Sequence, residues 1–259
     1  MSEKENYNTI PMIEKACQVV DIISKEGGEA GISEIARQTG MSKSTIFRVL
    51  YTLQSWNWIQ KDEASDRYRL GLFFLQAGKQ VAGKLKIEEI ARPVMERVAE
   101  ETGEGVNLGT CFEDRVLILE NVQGQASLLV LGLQPVFDLY CSGMGKLFLT
   151  EMTEEQLHDY FQRMKPEQKT DGTITTEAEM KAELQQIRQN GYSLDNEEYE
   201  YGLLCVAAPI RDRDGKMIAG ISVSGPASRM KRGKGVNAIR DAVLAGAAEI
   251  EKRMGFHLQ

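Results

Sequence analysis

The chain has 259 residues, 42% of them hydrophobic and 27% charged, a balance that builds buried cores and excludes disordered, collagen-like and membrane-embedded classes. At about 100–200 residues per domain this length implies two domains. The net charge of −7 argues at first against a nucleic-acid partner, because phosphate binding is driven by Lys and Arg displacing counterions.

In chain order, Ala16, Val19, Val20 and Ile23 recur at i, i+3, i+4 and i+7, predicting an amphipathic helix from about Ile13 to Lys25 that ends at Gly27 and Gly28. Ser33 is expected to cap a short helix with Ile35, Ala36 and Thr39 inward, and Gly40 to close it in the left-handed conformation. Ser42 then caps a second helix whose stripe is Ile46, Val49, Leu50 and Leu53. Lys43, Ser44, Thr45, Phe47, Arg48 and Tyr51 point away from that stripe. An alternating run, Trp58 to Lys61, an acidic turn, Asp62 to Asp66, and a second run, Arg67 to Leu70, read as a hairpin.

The acidity lies further on. Residues 1–85 hold eleven Lys and Arg against ten Asp and Glu, and residues 86–259 hold 20 against 28. The window 37–69 has Arg37, Lys43, Arg48, Lys61, Arg67 and Arg69 against Asp62, Glu63 and Asp66. Two helices across a tight turn, a basic hairpin and a local basic excess are the features of a winged helix-turn-helix that reads DNA.

Ile32-Ser33-Glu34-Ile35-Ala36-Arg37, Lys43-Ser44-Thr45-Ile46-Phe47-Arg48 and Arg67-Tyr68-Arg69-Leu70-Gly71 closely resemble the DNA-binding domain of the IclR family of bacterial transcription regulators. Lys43, Ser44 and Thr45 stand at the N-terminal end of the recognition helix, where base edges are reached. Arg48, one turn on, suits a base or a phosphate. Arg67 and Arg69 alternate with Tyr68, which puts both on one face of the wing, toward DNA backbone or toward solvent.

The apolar stretch from Leu72 to about Gly83 is a helix too greasy for a bare tether. The resemblance implies a linker helix that pairs two DNA-binding domains; packing against its own chain is the alternative. Beyond it the patterns predict a helix from Ile87 to Glu101 interrupted by Pro93, strands at Val106–Phe112, Val116–Val122 and Ser127–Leu133, and helices at Met144–Leu149, Glu154–Arg163 and Thr176–Gln189. Strands at Cys205–Ile210 and Met217–Val223, joined at Asp214-Gly215, precede a last helix from Val236 to Met254. The fold class is α+β, with a winged helix-turn-helix over 1–71, a linker helix over 72–85 and an effector-binding domain over 86–259.

The resemblance extends through Gly191-Tyr192-Ser193-Leu194-Asp195-Asn196-Glu197-Glu198, Cys205-Val206-Ala207-Ala208-Pro209-Ile210, Ser142-Gly143-Met144-Gly145-Lys146 and Ile221-Ser222-Val223-Ser224-Gly225-Pro226. It implies a GAF-like domain with a small-molecule pocket walled by Gly143, Met144, Asp195, Cys205, Ser222 and Ser224. Arg211, Tyr140 and Met144 depart from the family, which carries an aromatic or His, a His, and a smaller residue there. Tyr140-Cys141 with Met41-Ser42-Lys43-Ser44-Thr45 is similar to regulators of 2-keto-3-deoxygluconate use.

Ser222 and Ser224, two apart on a strand, share a face, and the helix start at Gly143–Gly145 has N–H groups suited to a carboxylate. These features suit a small hydroxy or keto acid, with a keto sugar acid as the expected effector. By chemistry alone, the serines equally read as hydroxyls satisfied by backbone, Cys205 as a core thiol and Asp195 as a turn cap.

Catalysis is not expected. Cys17, Cys111, Cys141 and Cys205 stand singly, the only histidines are His158 and His257, and no phosphate-cradling glycine loop appears. No metal or other cofactor is implied. No apolar run approaches the roughly 18–20 residues of a membrane span, and the acidic start is unlike a signal peptide, which places the protein in the cytoplasm. The expected partners are operator DNA, a small carboxylate effector and further copies of the chain, as a homodimer or, through the C-terminal domain, a tetramer. A ligand-independent architectural factor is the alternative.

Overall fold

The computed structural model describes residues 9–25, 28–82, 86–125, 136–232 and 235–255. The chain divides into two compact units, Met1–Lys84 and Leu85–Gln259.

The first unit holds α1 (Pro11–Lys25), β1 (Glu29–Ala30), α2 (Ile32–Thr39), α3 (Lys43–Ser55), β2 (Ile59–Asp62), β3 (Arg67–Leu70) and α4 (Leu72–Ala82). α1 begins two residues earlier than its apolar pattern, at Pro11, whose fixed φ suits a first helical turn. Val19, Ile22 and Ile23 of α1, Ile35 of α2 and the α3 stripe Ile46, Val49, Leu50 and Leu53 close on Ile59 and Tyr68 of the hairpin. Ser42 caps α3, its Oγ accepting the Thr45 N–H at 3.3 Å, and Gly40 has φ 66°.

Ser33 is not the cap of α2. The helix starts at Ile32 with Gly31 as N-cap, and Glu34 reaches back to accept the Gly31 N–H at 2.9 Å. The reason is β1, a two-residue strand paired to β3 through Glu29↔Arg69 and Ala30↔Tyr68. It holds the chain extended up to Gly31 and leaves Ser33 exposed.

Gly71 joins the hairpin to α4 at a point where the two backbones almost touch. Its N–H donates to the Trp58 carbonyl at 2.7 Å, and a Cβ there would lie 2.1 Å from the Asn57 carbonyl oxygen. Directly after it, Phe73 stacks on Trp58 with centroids 5.0 Å apart and Phe74 meets the same ring edge-on at 5.5 Å. α4 therefore packs one side on its own unit, while Leu72 and Leu75 stay exposed.

The second unit holds α5 (Lys86–Thr102), β4 (Gly105–Phe112), β5 (Arg115–Val122), β6 (Val136–Asp138), α6 (Gly143–Leu149), α7 (Glu154–Met164), α8 (Glu177–Asn190), β7 (Ser193–Asn196), β8 (Leu203–Arg211), β9 (Met217–Pro226), α9 (Ala227–Arg232) and α10 (Gly235–Arg253). Six strands form one antiparallel sheet in the order β6-β5-β4-β9-β8-β7. One face, with Leu108, Val206, Ile221 and Val223, packs under Val94 and Val98 of α5 and Val243 and Ile250 of α10. The other carries Val116, Ala207 and Met217 beneath α6, α7 and α8.

α5 is continuous through Pro93, contrary to the expected interruption. Proline removes one helical hydrogen bond, but Pro93 faces solvent while Ala91, Val94, Met95 and Val98 are buried, so tertiary packing holds the helix on both sides. The strand expected at Ser127–Leu133 lies outside the described residues. β1, β6, β7 and α9 are too short or too polar to stand out as patterns.

Gly71→Ala should destabilise the first unit by about 1–3 kcal/mol, the usual cost of overpacking. Both tryptophans, Trp56 and Trp58, lie beside this joint, so urea unfolding followed by tryptophan fluorescence reads that unit alone. An unchanged midpoint would contradict the close contact.

Candidate effector pocket and nucleic-acid interface

At the start of α3 the hydroxyls form a small cluster, with Ser42 Oγ 3.0 Å from Ser44 Oγ and 2.9 Å from Thr45 Oγ1. Thr45 is half-buried, while Lys43, Ser44, Phe47, Arg48 and Tyr51 are exposed. Thr45 and Arg48 also border a groove of about 210 Å³ shared with Met12 and Ala16 of α1.

The two wing arginines differ in role. Arg67 is drawn into the unit: its guanidinium pairs with Glu29 at 3.0 Å and Glu34 at 2.9 Å and donates to the Glu29 carbonyl at 3.1 Å. The Gly31 N–H and the Arg67 guanidinium hold the Glu34 carboxyl below its ordinary range. Arg69 is exposed, and Lys61 is paired with Asp66 at 2.5 Å. Among the described residues, no ion pair involves Lys43, Arg48 or Arg69, so these cations present their charge to solvent.

In the second unit the register of the sheet lines up polar side chains on the α6 face. Asp195, Cys205 and Ser224 stand side by side across β7, β8 and β9, and Ala207, Ser222 and Asn107 across β8, β9 and β4. Ser222 and Ser224 are buried, and the Asn107 amide donates to Ser224 Oγ at 3.4 Å. Asn107, Asp195, Cys205, Ser222 and Ser224, together with Ser142, Gly143, Met144, Phe137 and Tyr199, line a cavity of about 40 Å³. All six pocket residues expected from the sequence border it. Asn107, Phe137 and Tyr199 were not anticipated, because their strands or turn meet the others only through sheet register.

The start of α6 is less open to an anion than its sequence suggests. Ser142 is the N-cap; its Oγ accepts the Gly145 N–H at 3.2 Å and donates to the Asp138 carbonyl at 2.8 Å. Gly145 itself is pressed against Leu139, 2.4 Å from where a Cβ would stand. Among the described residues, the Gly143 and Met144 N–H groups have no acceptor and remain for a ligand.

Asp195 does cap a turn. Its Oδ1 accepts the Glu198 N–H at 2.8 Å and the Tyr199 N–H at 3.3 Å, and burial pushes its pKa up to about 6 against these stabilising bonds. Behind it, Lys146 is 1% exposed and donates to Glu198 Oε1 at 2.6 Å and Glu183 Oε1 at 2.8 Å. Burial pushes Glu198 up to about 6 despite that lysine. Every residue of α6 is buried, and a lysine in such a helix needs paired carboxylates. Its partners lie 37 and 52 residues away, beyond any local pattern.

Burial pushes the Cys141 thiol up to about 12 and Cys205 well above its ordinary value. Both are thiols at neutral pH, not nucleophilic thiolates. His158 is exposed, with Nδ1 2.8 Å from Glu177 Oε2. No cluster of three or more metal-ligating side chains occurs among the described residues, and no helix there is long and apolar enough to cross a membrane.

Residues 12–63 match the model of the IclR helix-turn-helix domain and residues 79–252 that of the bacterial transcriptional regulator IclR C-terminal domain. The HTH-type transcriptional regulator BhcR of Paracoccus denitrificans is 34% identical, with 95% of this chain and 88% of that protein covered. The HTH-type transcriptional regulator KdgR of Escherichia coli is 30% identical, with 90% and 88% covered. The crystal structure of a Thermotoga maritima IclR superposes with a TM-score of 0.68 at 31% identity, covering 95% of this chain and all of that one.

Asp195 gives a pH test. Its folded pKa is raised from 3.8 to about 6, so between those values the folded protein keeps a proton that the unfolded chain has released. The group's contribution to stability is therefore greatest at low pH and declines as pH rises through about 4 to 6. Asp195→Asn removes this titration, and its melting temperature should gain on the wild type between pH 4 and pH 7. Parallel melting curves across that window would contradict the assigned burial.

Proposed function

The chain belongs to the IclR family of bacterial transcriptional regulators, a DNA-binding regulator with an effector-binding domain, and from that premise we propose that it binds an operator as a twofold pair and releases or grips it on binding a small organic acid. The single observation that carries the effector half is the row of buried hydroxyls, Ser222 and Ser224, beside Asp195 and the free N–H groups of Gly143 and Met144. These groups suit a carboxylate with a neighbouring oxo or hydroxy oxygen. Helices on both faces of the antiparallel sheet suit a GAF-like sensor.

On the DNA side, Lys43 and Ser44 read bases, Thr45 contributes its methyl or shared hydroxyl, and Arg48 and Arg69 hold phosphates. Arg67 braces the wing from within, which its pairing with Glu29 and Glu34 supports. Leu72 and Leu75, exposed on α4, suit pairing of two copies on half-sites about one helical turn, roughly 34 Å, or a multiple of it apart.

Lys43→Ala should flatten the preference for operator over random DNA at ~1–3 kcal/mol per lost base contact. Arg69→Ala should weaken both DNAs alike and reduce the salt slope by about one. Salt titrations with both DNAs separate these outcomes, and equal loss on both DNAs for Lys43→Ala would remove α3 as the specificity element.

Ser224→Ala should lower effector affinity while leaving ligand-free operator binding intact, because a ligand shifts DNA affinity only through its preference for one conformation. Calorimetry with a panel of organic acids, alongside operator-release titrations, reads both. Unchanged acid affinity would move the site elsewhere, and no response to any acid would favour a ligand-independent factor.

A further inference from the structure

Gly109 of β4 and Gly220 of β9 are direct cross-strand partners under α6. Neither lies in the left-handed region that favours glycine, so backbone conformation does not explain them. Their surroundings do. A Cβ on Gly109 would stand 2.7 Å from Met144 Sδ, and one on Gly220 would stand 2.7 Å from Met144 Cγ and 3.3 Å from its Sδ. The thioether thus lies flat on two bare strands, in space that two alanine methyls would otherwise fill, and Met144 is only 4% exposed.

The cavity left beside it measures about 40 Å³. One water-sized probe takes roughly 10–15 Å³, so the space holds about three such volumes. Its polar groups, Asp195, Cys205, Ser222 and Ser224, come from β7, β8 and β9, and Met144 lies over Gly220, two residues along β9 from Ser222 and on the same face, where its thioether takes up volume that a longer chain would need. Resting on the organic-acid reading above, we propose that Met144 sets the chain length of the effector, admitting short 2-oxo or 2-hydroxy acids of about two to four carbons and excluding the six-carbon keto sugar acid that the sequence suggests.

The experiment measures binding of a homologous series of 2-oxo acids, from glyoxylate through pyruvate to 2-oxohexanoate, to the full-length wild type and to Met144→Ala by calorimetry. The wild type should prefer pyruvate over 2-oxohexanoate by about tenfold or more, and Met144→Ala should shift that ratio toward the longer acid by a similar factor, the lower end of what a hydrophobic pocket discriminates for one methylene. A companion measurement needs no ligand: Gly220→Ala should lower the melting temperature of the wild type at least twice as much as that of Met144→Ala, because the clash is with this one side chain. A chain-length ratio unchanged by Met144→Ala, or the same Gly220→Ala loss in both backgrounds, overturns the proposal while leaving the organic-acid reading in place. Failure of every acid in the series to bind either protein overturns that reading and this proposal with it.

Discussion

The second unit depends on the register of β9 between β4 and β8. Side chains on a strand alternate between faces, so a slip of one residue would turn Ser222 and Ser224 into the apolar layer under α10 and bring Val223 into the pocket. Leu204, Val206 and Ala208 on β8, with Ile221 and Val223 on β9, are all buried against α5 and α10. At ~25 cal/mol per Å² of apolar surface, burial of this row strongly disfavours the slipped arrangement. The pocket is thus specified from behind, by the core on the opposite face of the sheet.

The front of the pocket is held by a buried ionic link. Lys146, on a helix with no exposed residue, ties α6 to α8 through Glu183 and to the turn after β7 through Glu198. Desolvating such a cluster offsets much of its attraction, so it adds less to stability than its short distances suggest, whereas loss of one partner strands a buried charge. Its effect is positional. The same turn presents its Glu198 and Tyr199 N–H groups to Asp195, so the helix bearing Met144 and the strand bearing Asp195 are fixed relative to each other across the cavity.

A comparable division of labour appears in the winged unit. Arg67 and Arg69 are chemically alike and two residues apart, yet Arg67 is consumed by Glu29 and Glu34 while Arg69 is left to solvent. The side-chain alternation of β3 places both on the same side of the strand. Glu29 stands opposite Arg69 in the β1–β3 register, yet its carboxylate pairs with Arg67; what sets the two arginines apart is the N-terminus of α2, which brings Glu34 to Arg67. A basic hairpin therefore carries fewer available cations than its composition implies, which concentrates the accessible positive charge on α3 and Arg69.

Much of the architecture follows from interactions within about one helical turn, and these were legible in the residues. The α3 stripe Ile46, Val49, Leu50 and Leu53, the Ser42 cap, the left-handed Gly40 and the Asp214-Gly215 turn need only neighbours four or fewer positions away. The spacing of Ser222 and Ser224 likewise put both hydroxyls on one face without reference to any other strand. Where a distant contact competes, local rules lost: β1 moved the cap of α2 from Ser33 to Gly31, and packing on both sides of Pro93 carried α5 through a residue that ordinarily breaks a helix. Polar β7 has no apolar alternation to mark it, and buried Lys146 and the engagement of Arg67 had no local signal, since their partners lie more than thirty residues away. The open volume of the pocket belongs to this second class, because it is the space that Met144, Gly109 and Gly220 leave when three separate elements meet, and only close packing of the folded chain sets such a remainder.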